Sequence, residues 1–139
     1  MDTHARITRS WKLMRYSYGL VVLLAGLDKI LGTNIIVFWP KYISPFVAAM
    51  LPMSQHTFLL LIGIIEVVVA VLVFTRFTVL ASYISAVWLI LISINLLMIG
   101  GYLDIAIRDI LLAIGAIATA WLGETLGHTA SGRDVAPQV

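Results

Sequence analysis

The stretch "TFLLLIGIIEVVVAVLVF", Thr57 to Phe74, decides the fold. Glu66 is its only ionisable residue, and no polar stripe marks a water-facing side. A helix that is apolar all round belongs in a large core or a membrane. A bilayer takes roughly 20 helical residues to cross, and this run has that length. The rest of the chain fits. Of 139 residues, 61% are hydrophobic and 12% charged, whereas soluble domains carry about 25% charged residues. With a mean hydropathy of +1.04, too little polar surface remains to coat a water-facing globule. The sequence predicts a polytopic helical membrane protein.

Working outward, similar runs extend from Leu13 to Leu31, from Phe77 to Ile99 and from Leu103 to Leu122. The expected fold is all-α: an integral membrane four-helix bundle with spans 13–31, 57–74, 77–99 and 103–122. The connection Thr75–Phe77 forces an antiparallel hairpin, and Gly100–Gly101 does the same before the last span. Residues 1–12 read as a basic cytoplasmic tail and 123–139 as a polar tail expected to fray. The first run is too long for a signal-peptide core and is expected to stay as an anchor. Cysteine is absent, which excludes disulfides, thiolate catalysis and iron–sulfur clusters. His4, His56 and His128 share no helix, leaving a haem or bundle-core metal without ligands.

The basic residues set orientation rather than a nucleic-acid surface. Arg6, Arg9 and Lys12 precede the first span and Arg15 lies in its first turn, Arg76 lies in the second turn and Arg133 in the tail. Lys29, Lys41 and Arg108 fall on the other side. The positive-inside rule then favours both termini in the cytoplasm, in a bacterial inner membrane. The long connection "TNIIVFWPKYISPFVAAMLPMSQH", Thr33 to His56, would face outward. Ser44 before Pro45 matches an N-cap and first helical position, predicting a short helix that Pro52 ends. Trp39 and Tyr42 suit the membrane interface. The segment reads as an interfacial or re-entrant lid, or as a loop that packs on the helices without gating anything.

Intramembrane charge is the informative feature. Asp28 and Lys29 close the first span, and Glu66 lies roughly 13 Å into the second. Asn95 is one turn from the end of the third span, and Arg108 and Asp109 lie roughly 7–9 Å into the fourth. These six residues come from four helices, yet all fall in the outer half or at the midplane. Small residues share their faces: Gly63 and Ala70 with Glu66, and Ala113, Ala116 and Ala120 beside Asp109. Such stripes let backbones approach closely in lipid. Lys29 is expected to snorkel outward. Arg108 is then the inner cation for which the acids compete, and Glu66 is the acid left over and neutral. Intramembrane ionisable groups suggest a site, but buried pairs can also serve only to fix helix packing.

Three segments carry a family resemblance: "GLVVLLAGLDKILG" (Gly19–Gly32), "PMSQHTFLLLIGIIEVVVAVLV" (Pro52–Val73) and "YLDIAIRDILLAIGAIATAWLG" (Tyr102–Gly123). They resemble the DoxX family of small four-helix membrane proteins, over about residues 15–123. The resemblance implies that Asp28, Lys29, Glu66, Arg108 and Asp109 are the family's polar positions. It also implies an association with membrane oxidoreductases. Two readings follow. One is a redox-linked subunit whose pocket takes a quinone head group, with Arg108 and Asn95 as donors and Glu66 handling the proton. The other is an accessory subunit packed beside a larger respiratory or photosynthetic complex, or in a homo-oligomer, whose charges only hold its bundle.

Overall fold

The computed structural model describes residues 2–133, with side-chain burial assigned as far as residue 127. Within them the chain is all-helical, with five α-helices: α1 (Thr3–Leu31), α2 (Pro45–Met50), α3 (Gln55–Val73), α4 (Thr78–Ile99) and α5 (Leu103–Arg133). A 3₁₀ turn, Trp39–Tyr42, precedes α2. Three helical segments are long and apolar enough to cross a membrane: α3, α4 and Leu103–Gly127 of α5. The α1 helix, which carries Arg15, Asp28 and Lys29, is not among them.

Helix ends fall where local chemistry puts them. Gly32 (φ 63°) and Gly100 (φ 81°) terminate α1 and α4 in the left-handed conformation that glycine adopts without steric cost. Ser44 Oγ caps α2 by accepting from Val47 N at 3.2 Å, with Pro45 as first helical residue. Ser54 does the same for α3 through Thr57 N. Both termini outrun the sequence reading. The basic tail is helical from Thr3, and α5 continues through Gly123 to Arg133, so much of the polar tail extends a helix already nucleated by its apolar part. Residues 134–139, and the side chain of His128, lie outside this description.

The helices pack as two close pairs, α1 with α3 and α4 with α5, joined by α1–α5 and α3–α4 contacts. Small residues make both pairs possible. On α5 the positions Ala106, Asp109, Ala113, Ala116 and Ala120 are all buried, repeating at alternating steps of three and four. The buried face of α4 answers with Ala81, Ser82, Ser85, Ala86 and Ser93. Ser85 and Ser93 return their hydroxyls to the carbonyls of Ala81 and Leu89, both at 2.8 Å. Buried hydroxyls thereby stay satisfied without a water partner. Large apolar side chains point outward instead, among them Leu61, Val68, Val87, Leu91, Ile107 and Leu111.

Two ends can be distinguished. At one, Arg15 clamps the C-terminus of α3, its Nε donating to the Val73 carbonyl at 2.7 Å and Nη2 to that of Thr75 at 3.0 Å. These are carbonyls that a helix end leaves orphaned. At the other end, segment 32–54 folds over the ends of α1, α3 and α4.

Candidate functional site: a buried ion pair beneath a tethered loop

Two glycines build the site. A Cβ added at Gly26 would lie 2.9 Å from the Gly63 carbonyl, and one at Gly63 would lie 2.8 Å from the Gly26 carbonyl. The backbones of α1 and α3 therefore touch here as only glycine allows. Each glycine also abuts the charged residue three positions along the other helix: Gly26 faces Cβ of Glu66, and Gly63 faces Cβ of Lys29, both at 3.0 Å. The crossing that the glycines permit is what brings the two charges together.

Lys29 Nζ meets Glu66 Oε2 at 2.7 Å, and each side chain is only 7% exposed. The Trp39 ring lies over the ammonium, its centroid 3.6 Å from Nζ. Trp88 Nε1 approaches Glu66 Oε1 from the other side at 3.4 Å. A buried pair needs such supplementary contacts, because desolvating two charges costs several kcal/mol per ion.

Asp28, the neighbouring carboxylate, is used up differently. It accepts from Thr33 Oγ1 at 2.5 Å, Ile35 N at 2.9 Å, Ile36 N at 3.2 Å and Trp39 Nε1 at 2.7 Å. One side chain thus organises the loop that leaves α1. Trp39 is held twice, by its N–H on Asp28 and by its face on Lys29. Asn95 fastens the far side, accepting from Ser44 N at 3.0 Å and donating to the Tyr42 carbonyl at 2.5 Å. Tyr42 packs edge-on against Tyr102, with ring centroids 4.9 Å apart.

Asp28, Lys29, Glu66, Asn95, Trp39 and Tyr42 therefore gather beneath and within segment 32–54, with Glu66 the deepest, near the middle of α3. Arg108 and Asp109 do not join them. Arg108 is 67% exposed along its side chain, and its Nε is 4.0 Å from Asp109 Oδ1. Asp109 is buried in the alanine seam of α5. Three expectations change. Lys29 turns inward instead of snorkelling, because the glycine crossing places Glu66 within its reach. Glu66 has a private cation. Arg108 is no hub, since residue 108 falls on the outer face of α5 while 106, 109 and 113 take the inner one. Asn95 spends its amide on the loop backbone. Sequence reasoning gave Gly26 and the indole of Trp88 no part in an ion pair. The signal was present in the matched spacing of Gly26 to Lys29 and Gly63 to Glu66.

No protein-family model, curated protein or solved structure matches this chain.

Proposed function

We propose that the chain is a four-span membrane protein, DoxX-like in plan, serving as an accessory subunit within a larger membrane assembly or a homo-oligomer. The fourth span is α1, whose exposed Leu13, Leu20, Val21, Leu24 and Leu31 continue the outward apolar surface of the other three helices. Both termini would be cytoplasmic, with segment 32–54 outside. One observation carries the accessory reading. Asp28 spends four hydrogen bonds on the loop, Asn95 spends two, and Lys29 and Glu66 neutralise each other. Polar groups so consumed hold a scaffold together and leave few donors for a ligand. The protein purified in mild detergent should then co-elute with membrane partners or as an oligomer. Recovery as a lone monomer retaining stoichiometric quinone would overturn this reading.

The double tether of Trp39 favours a second reading, a small-molecule site. If the indole swung aside, a quinone head group could enter between Lys29 and Trp88 as donors, with Glu66 as the proton-handling group. Arg108 has no part in this version. Its test is quinone retention in Trp39→Ala, which should change while the oligomeric state does not.

A further inference from the structure

The opposite end of the molecule holds a cavity of about 530 Å³ between the first half of α1, the α3–α4 turn and the end of α5. Its polar lining is one-sided. The cationic residues Arg15 and Arg76 line it, the hydroxyls of Thr75 and Thr78 in the lining are donated to the carbonyls of Leu72, Val73 and Thr75, and among the described residues no carboxylate lines it. Phe74, Val79 and Leu126 supply apolar wall. Arg15 spends Nε and Nη2 on helix carbonyls, while its Nη1 has no acceptor among the described residues. Arg76 makes no hydrogen bond or ion pair among the described residues and lies against the Phe77 ring at 5.0 Å. Trp11, also in the lining, has a buried Nε1 that is the one such polar side-chain atom without a partner among the described residues. Among the described residues the cavity is thus lined by two cationic side chains and unspent N–H donors, with no carboxylate to answer them.

We infer that this cavity binds a phosphate-bearing anion, and that its occupant in the membrane is the head group of an anionic phospholipid. Guanidinium suits phosphate because its planar fork can donate two parallel hydrogen bonds. The apolar wall fits the glycerol and upper acyl region that follow a lipid phosphate but not a free ion. The location agrees. Arg6, Arg9 and Lys12 lie on the same half of α1, and by the positive-inside rule this end faces the cytoplasmic leaflet, where basic pockets between helices take anionic head groups. The inference rests on the membrane-embedded reading. Failure of that reading would appear separately, as protein recovered from cells without detergent.

The test uses the full chain, delipidated in mild detergent, with thermal stability and native mass spectrometry as readouts. Phosphatidylglycerol should stabilise the protein and remain as a one-to-one adduct, and phosphatidylcholine of the same chains should do neither. Arg76→Gln should weaken retention of phosphatidylglycerol about tenfold. Leu126→Trp, which fills the cavity, should abolish retention while leaving lipid-free stability unchanged. Arg108→Gln, which removes a distant exposed charge, should leave retention unaltered. Inorganic phosphate giving the same Arg76-dependent stabilisation would keep the anion site but make a soluble phosphate compound its occupant. Equal retention of the two lipids, or retention in Arg76→Gln equal to wild type, would overturn the proposal.

Discussion

Replacing Glu66 by Gln tests whether the pair with Lys29 is ionic. The wild-type contact is 2.7 Å between groups almost wholly removed from solvent, and breaking such a pair by removing one partner costs about 3–5 kcal/mol. Glutamine preserves shape and offers Lys29 a carbonyl acceptor, which recovers about 1 kcal/mol. The Trp39 face remains over the ammonium in both proteins and cancels in the difference. Glu66→Gln should therefore lose about 2–4 kcal/mol, read as a lower midpoint in detergent unfolding. Lys29→Met strands the carboxylate with only the long Trp88 contact and should lose about 3–5 kcal/mol. The double variant should be less destabilised than the sum of the two by about 2 kcal/mol, within the range found for contacting groups. If Glu66→Gln matches wild type, the carboxyl is neutral in the folded protein and the ion pair does not exist.

Asp28→Asn leaves one acceptor oxygen where four donors converge, and it turns an amide N–H₂ toward them. Hydrogen exchange at Ile35 and Ile36 should then accelerate at least tenfold while α4 and α5 stay protected, and unchanged exchange would show that the loop is held otherwise. Gly63→Leu would drive a side chain into the Gly26 carbonyl and should cost about 1–3 kcal/mol by overpacking. By contrast Gly101→Ala, where a Cβ meets nothing within 4 Å, should fold normally. Arg108→Leu should change unfolding stability by no more than about 0.5 kcal/mol, as exposed substitutions do, and a larger loss would mean that something buries this residue.

What could be read from sequence was set by short-range physics. The apolar runs around Thr57–Phe74 and Phe77–Ile99 announced their helices, because length and hydropathy need no partner to be interpreted. Ser44–Pro45 announced α2 through local capping. Depth along each helix was equally legible, so Asp28, Lys29 and Asn95 fall together toward the loop and Glu66 lies near the middle of α3. Azimuth was not. Whether Arg108 or Asp109 faces inward depends on which α5 face meets α4, and the alanines flanking Asp109 could be seen without showing that Arg108 is excluded. The Lys29–Glu66 pair depends on the crossing point of two helices, encoded only by two glycines whose meaning emerges when they are placed against each other. The ends of α1 and α5 were not legible because polar composition resembles an end to structure, whereas a helix already formed extends into polar sequence at little cost.

The glycine crossing has a consequence for biogenesis. In a bilayer, α3 inserted alone would carry Glu66 near the midplane, and α1 alone would bring Asp28 and Lys29 without their partners. An acidic or basic residue at a helix centre opposes insertion by about 2.5–3.5 kcal/mol. Antiparallel docking at Gly26 and Gly63 neutralises Lys29 with Glu66, and the loop emerging from α1 satisfies Asp28. On the proposed four-span reading, the first two long helices thus have reason to enter the bilayer together as a hairpin. The α4–α5 pair, sealed by alanine and serine, can follow as an independent unit. A nascent chain arrested before Glu66 should hold α1 only loosely, and one extended past Val73 should hold it firmly.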